Sequence, residues 1–191
     1  MPLTKEDVIA RLLARLPKAE AASVPVRDYP TVRLGAPEDL PAAARLLKGE
    51  LGFEYLEMVT AVDWLGPVRQ EGFVSSRNPH PFLAQAPAPP VTPVAGPGIS
   101  YHPILDMLWS FGNLRENLKV FLRLAVPRDR PEVPTLTGLF PAADWQEREA
   151  FDLLGIRFTG HPNLIKILTP DFLTGHPLRK DYVHQKDPYD E

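Results

Sequence analysis

Nine prolines lie between Gly66 and Pro103, and from Asn78 to Leu105 there is no Asp, Glu, Lys or Arg. Proline lacks a backbone N–H and fixes φ, so a segment this rich in it forms neither a helix nor an interior strand. Regular structure must therefore be built on either side of it. The segment reads as a long exposed insert between strands, partly polyproline II. A ligand for proline-binding domains is the sharper alternative, but Pro/Ala-rich stretches more often serve as spacers.

The rest of the composition is ordinary. Of 191 residues, 44% are hydrophobic and 24% charged, and a chain of that length buries roughly two-thirds of its unfolded surface. There is no cysteine, which excludes disulfides, thiolate metal sites, cysteine-held iron–sulfur clusters and cysteine nucleophiles. Twenty-one basic against 24 acidic residues leave a formal charge of −3, giving no general attraction to nucleic acid or anionic lipid. No apolar run approaches the ~20 residues of a membrane span. Charges interrupt the N-terminal MPLTKEDVIARLLARL throughout, unlike a signal peptide. The expectation is a soluble intracellular chain.

Thr4 and Asp7 have capping-box spacing, and Val8, Ile9, Leu12, Leu13 and Leu16 recur on one helical face that ends at Pro17. A short extended piece follows at Thr31–Leu34. Pro37-Glu38-Asp39 opens a second helix with Leu40, Ala43, Ala44 and Leu47 inward. A strand is expected near Met58–Trp64. After the insert, Leu105, Met107, Trp109 and Phe111 alternate with Asp106, Leu108 and Ser110. Past the turn Gly112-Asn113, Leu118, Val120, Leu122, Leu124 and Val126 do the same, which predicts a β-hairpin. Thr135 to Leu154 reads as a helix broken near Pro141 and restarting at Ala142 or Asp144, with Gly155 as its C-cap. Ile156–Glu191 has regular turn residues and little periodicity. The fold class is α+β: a mixed, largely antiparallel sheet with helices packed on it, then an irregular C-terminal extension. The division is a body at 1–140, carrying the insert 66–103, and a segment 141–191 containing a helix and an extended tail.

Motifs for nucleotide, zinc or serine-nucleophile chemistry are absent: there is no GxGxxG, Walker A, HExxH or GxSxG. His161 and His176 share a Gly-His-Pro setting. A metal pair is conceivable, but without adjoining carboxylates the better reading is rings bonded to backbone in tight turns. The densest charge lies in Asp144-Trp145-Gln146-Glu147-Arg148-Glu149, continuing to Asp152. A solvated helix face with weak ion pairs accounts for it. An acid–base carboxylate pair is the alternative, yet no nucleophile, metal or oxyanion donor accompanies it. Leu178-Arg179-Lys180-Asp181-Tyr182 is equally readable as a solvated tail or as a segment that docks on an acidic partner groove.

Asp144 to Ile156, Phe158-Thr159-Gly160-His161-Pro162, Ile167-Leu168 with Pro170-Asp171, and Gly175-His176-Pro177-Leu178-Arg179-Lys180-Asp181-Tyr182 form a set of motifs about 40 residues in extent. Together they resemble the C subunit of bacterial NADH-quinone oxidoreductase, the iron–sulfur protein 3 or 30 kDa subunit family of respiratory complex I. Gly52-Phe53-Glu54-Tyr55-Leu56, Ala61-Val62-Asp63-Trp64 and the Leu118–Val126 strand with Val133-Pro134-Thr135-Leu136 fit less specifically. The resemblance implies an α+β domain whose C-terminal extension wraps a neighbouring subunit, in the hydrophilic arm against the large D subunit of the quinone pocket. It implies no cofactor on this chain, with FMN and iron–sulfur clusters carried by other subunits. The implied location is peripheral, on the cytoplasmic side of the plasma membrane. The expected interface anchors are Trp145, Glu147, Arg148, Glu149 and Asp152 on the helix, and His161, His176, Arg179, Lys180, Asp181 and Tyr182 in the extension. Departures from the family pattern are the long apolar insert, Lys166 where arginine is usual, and Val183 where proline often follows the tyrosine.

The implied function is therefore a non-catalytic scaffold in a proton-translocating NADH:quinone oxidoreductase. Two rivals stand beside it. One is the equivalent subunit of a membrane-bound nickel–iron hydrogenase or formate hydrogenlyase complex. The other is a stand-alone hydrolase using Glu147, Glu149 or Asp152 with His161.

Overall fold

A computed structural model describes residues 3–65 and 102–182. Most of the insert, with Val183 and the residues after it, lies outside the described residues. Helix α1 (Lys5–Arg15) starts at the expected capping box: the Asp7 backbone N–H donates to Thr4 Oγ1, and the Thr4 N–H donates to the Asp7 carboxylate, both at 3.1 Å. Its inward residues are Val8 and Leu12, with Leu16 following in the same phase. Strands β1 (Glu20–Ala21) and β2 (Thr31–Arg33) come next, then helix α2 (Asp39–Gly49). The Asp39 carboxylate accepts from the Ala36 N–H. Pro41 is tolerated there because first-turn N–H groups have no intrahelical acceptor.

The chain then forms β3 (Tyr55–Asp63), β4 (Ile104–Asn113) and β5 (Leu118–Pro127), in a five-stranded sheet ordered β1-β2-β5-β4-β3. Only β2–β5 is parallel, so the sheet is mixed and largely antiparallel, as the patterning implied. The hairpin register sets Trp109 against Leu122 and Met107 against Leu124, and all four side chains are buried. The register of β3 shifts between Leu56 and Met58. Glu57 sits in this bulge, where it accepts from Ser110 Oγ at 2.8 Å and pairs with Lys119 at 2.7 Å. Strand β6 (Glu132–Pro134), helix α3 (Ala143–Leu154) and β7 (Arg157–Thr159) complete the elements, β6 and β7 forming a separate parallel pair.

The expected helix from Thr135 is corrected in its first part. Residues 135–142 form hydrogen-bonded turns, and α3 begins at Ala143. Phe140 N–H bonds to Leu136 C=O, which folds the segment so that Leu136 and Phe140 enter the core, Phe140 lying 5.3 Å from Phe111. α3 packs beside β3, and Ala143, Ala150 and Leu154 belong to the same core as α1, α2 and the sheet. The line drawn between 140 and 141 thus falls within residues that share one core.

Candidate subunit-docking site

Helix α3 presents two carboxylates where none should be tolerated unpaired. Glu147 and Asp152 are completely buried, and a buried charge needs hydrogen bonds or a counter-ion. Glu147 accepts from Thr135 Oγ1 at 2.5 Å and from the Leu136 N–H at 2.7 Å, tying the preceding turn to the helix. Burial pushes its carboxyl up to about 7, against the pull of those two hydrogen bonds and with a further push from Asp144. Asp152 is the opposite case. It accepts the N–H groups of Ile167, Leu168 and Thr169 at 2.8–3.0 Å and the Thr169 hydroxyl. Burial alone would raise its carboxyl, but these donors hold it below the usual carboxylate range.

The chain beyond β7 is therefore a strap fixed to α3 at successive points. Arg148 donates to the carbonyls of Ile165 and Lys166. Gly155 ends the helix at φ 73°, and His176 and Arg179 occupy the space a Cβ there would need. His176 Nδ1 donates to Asp152 C=O at 2.9 Å and Arg179 Nε to Leu154 C=O at 2.7 Å, satisfying carbonyls left open at the helix end. Farther along, the Lys180 N–H donates to Asp63 at 2.9 Å. Asp63, in the inward phase of β3, is held bidentately by Arg128, which also pairs with Asp181. Burial opposes ionisation of Asp63, but Arg128 and the Lys180 and Leu65 N–H groups lower its pKa. Asp181 is lowered chiefly by its bond to Arg128. Tyr182 lies against Gly175, whose φ is 83°.

Several expected anchors thus work inside the chain. Glu147 and Asp152 were expected to be turned toward a partner; instead their oxygens are spent on the chain's own donors. Asp181 is likewise taken by Arg128. His161 and His176 are not a metal pair. His161 receives the Asn163 N–H on Nδ1, and its Nε2 lies 3.2 Å from both the backbone carbonyl and the carboxylate of Asp144, near the start of α3. His176 sits at the other end of that helix. The eight helical steps from Asp144 to Asp152 separate these points by about 12 Å. Nor is the proposed acid–histidine unit assembled, since Glu147, Asp152 and His161 each bond to a different segment. Among the described residues no group of three or more His, Cys, Asp or Glu is placed to hold a metal.

Outward-facing instead are large apolar side chains of α3 and the strap: Trp145 is 68% exposed, Phe172 63%, Leu168 61%, Leu178 58% and Ile165 53%. Glu149 and Lys180 are exposed as well. Of these, Trp145, Glu149 and Lys180 were expected anchors. The patterning missed the Asp63–Arg128 clamp. Its signal was an acid continuing the inward phase of Val59 and Ala61, a position that requires a cation or several donors.

The family model described as "Respiratory-chain NADH dehydrogenase, 30 Kd subunit" matches residues 35–188. The NADH-quinone oxidoreductase C subunit of Roseiflexus sp. (strain RS-1) is 37% identical over 183 residues, covering 95% of this chain and 85% of that one. The corresponding C subunit of Moorella thermoacetica is 35% identical over 179 residues, covering 94% and 93%. Among solved structures, a trypsin-resistant fragment of Nqo5 aligns at TM-score 0.52 with 23% identity, over 82% of this chain and 99% of that one. A chain of the membrane-bound sulfane sulfur reductase, an archaeal respiratory membrane complex, aligns at TM-score 0.61 with 20% identity, over 93% and 85%. At those identities the structures establish the shared fold.

Proposed function

The chain belongs to the 30 kDa subunit family of respiratory-chain NADH dehydrogenase, and from that premise we propose that it is a non-catalytic scaffold of the enzyme's hydrophilic arm, docking through α3 and the strap on the D subunit that forms the quinone pocket. The observation that carries this reading is the division of labour in the strap. Backbone N–H groups of 167–169, His176 and the Lys180 N–H fix it to the body, while Ile165, Leu168, Phe172 and Leu178, with Trp145 of α3, are left facing outward. Aromatic and large aliphatic side chains on a pre-ordered support are what a protein interface uses, because little conformational entropy remains to be lost on docking.

The chemistry is assigned to other subunits. The buried carboxylates and both histidines of the strap have structural partners, which leaves them engaged rather than poised toward a reacting group. FMN and the iron–sulfur clusters are expected on other chains, and the contribution of this one to electron transfer is to hold the arm in register. No described helix is long and apolar enough to cross a membrane, so membrane attachment is proposed to come only through the complex, on its cytoplasmic side.

The test is recovery of the tagged chain from gently solubilised native membranes, with mass identification of its companions. Flavin and iron–sulfur subunits recovered with NADH:quinone activity are the expected result. Nickel–iron hydrogenase subunits in their place would move the chain to the related complex. A chain recovered alone would refute docking.

A further inference from the structure

Among the described residues the strap cations Lys166, Arg179 and Lys180 form no ion pair, and Arg179 is the arginine among them, held half-buried. The Arg179 guanidinium is fixed twice, by its Nε bond to Leu154 C=O at 2.7 Å and by packing over Gly155, where a Cβ would lie 2.8 Å from Nη2. The neighbouring carboxylates are already committed. Asp63 takes Arg128 together with the Leu65 and Lys180 N–H groups, and Asp181 takes Arg128. Among the described residues no ion pair reaches Arg179, and its two terminal nitrogens have no acceptor. Desolvation first, and repulsion from Arg128 second, lower its pKa, outweighing the smaller pull of Asp181 and Asp63. A half-buried guanidinium beside another arginine is costly alone and is relieved by an added carboxylate. Leu178, 58% exposed and adjacent in the chain, supplies an apolar flank that would exclude water from such a pair.

We propose that Arg179 receives an Asp or Glu carboxylate of the neighbouring subunit, its two terminal nitrogens forming a bidentate pair at the C-terminal end of α3. The inference rests on the docking reading and adds to it the chemistry of the contact. A rigid arginine offers two parallel N–H donors in the geometry of one carboxylate. Its stem is already ordered, so the pair forms with little further loss of side-chain freedom. The two arginines give the site its preference for an anion, since a cation brought there would be repelled by both Arg128 and Arg179.

The experiment uses tagged full-length chains carrying Arg179→Gln or Arg179→Lys, expressed in place of the wild type. Recovery of companion subunits from solubilised membranes is measured, together with thermal unfolding of each purified chain. Arg179→Gln is expected to lower recovery at least about tenfold, and Arg179→Lys, which keeps the charge but loses the two-pronged geometry, to lower it less. In the assembled Arg179→Lys complex a zero-length carbodiimide should join the new amine to an Asp or Glu of another subunit. Recovery by Arg179→Gln within about twofold of wild type would overturn the proposal. So would a cross-link from position 179 that reaches only Asp63 or Asp181. Should Arg179→Gln fail to fold, the destination of the Arg179→Lys cross-link decides. Loss of companions by the wild-type chain itself would instead count against docking.

Discussion

Two buried carboxylates on one helix have opposite proton chemistry: burial, with a push from Asp144, prevails at Glu147, while the donors around Asp152 prevail over its burial. Asp152 has four donors, three backbone N–H groups on Oδ2 and the Thr169 hydroxyl on Oδ1. Asn can keep an oxygen on the first three and donate its amide to the hydroxyl, so what the replacement removes is the negative charge that strengthens all four bonds. Asp152→Asn should cost about 2–4 kcal/mol in urea unfolding and free residues 163–182 to proteolysis. Glu147 has two donors and is raised from an ordinary 4.5 to about 7. An acid raised in the folded state binds the extra proton there, so its favourable contribution is complete below about 4.5 and is lost as pH rises to about 7. Glu147→Gln should therefore remove a decline of about 1–3 kcal/mol across that window. Urea midpoints at about pH 4.5 and 8 for both chains check this, and equal slopes would contradict it. For Asp63 and Asp152 the sign reverses. Their carboxyls are held low, so their contribution is present above the usual carboxylate range and is lost as acid carries the pH down through their folded values.

At the scale of elements, the helix ends carry the most testable geometry. Gly155 combines positive φ with a Cβ position already filled by His176 and Arg179. Gly155→Ala should destabilise by about 2 kcal/mol or more and detach the strap first, visible as faster cleavage within 160–182 before global unfolding. At the other end of the chain, Thr4→Ala should cost about 1 kcal/mol in urea unfolding through loss of the capping box. The same helices and the β4–β5 hairpin were legible because periodicity and caps are local. The alternation from Leu105 to Phe111 needs no knowledge of its partner. β1, β6 and β7 were not legible: two or three residues carry no period, and Glu132–Pro134 is a strand only because Arg157–Thr159 lies beside it. The turns at 135–142 were misread as helix because the Leu136 N–H is satisfied by Glu147, eleven residues away. The charged motif of α3 was visible from the sequence, but not which of its charges are buried. That depends on the strap folding back over Asp152 and on Asp63 meeting Arg128 across the sheet.

For the whole molecule, the body and the strap have separable tasks. α1, α2, α3 and the sheet share one apolar core, while the strap beyond Ile167–Thr169 is tied mainly through His176, Arg179, Lys180 and Asp181. Removing residues 170–191 leaves Asp152 with its donors and Asp63 with Arg128, so the core remains paired. It deletes Phe172, Leu178 and Arg179, which are proposed to meet the partner. The most direct measurement is therefore to express the tagged chain lacking 170–191, verify its cooperative unfolding, and compare its recovery of the other oxidoreductase subunits with that of the full chain. The expected result is a folded body that recovers none of them. A truncated chain that still assembles into an active complex would contradict docking through the strap.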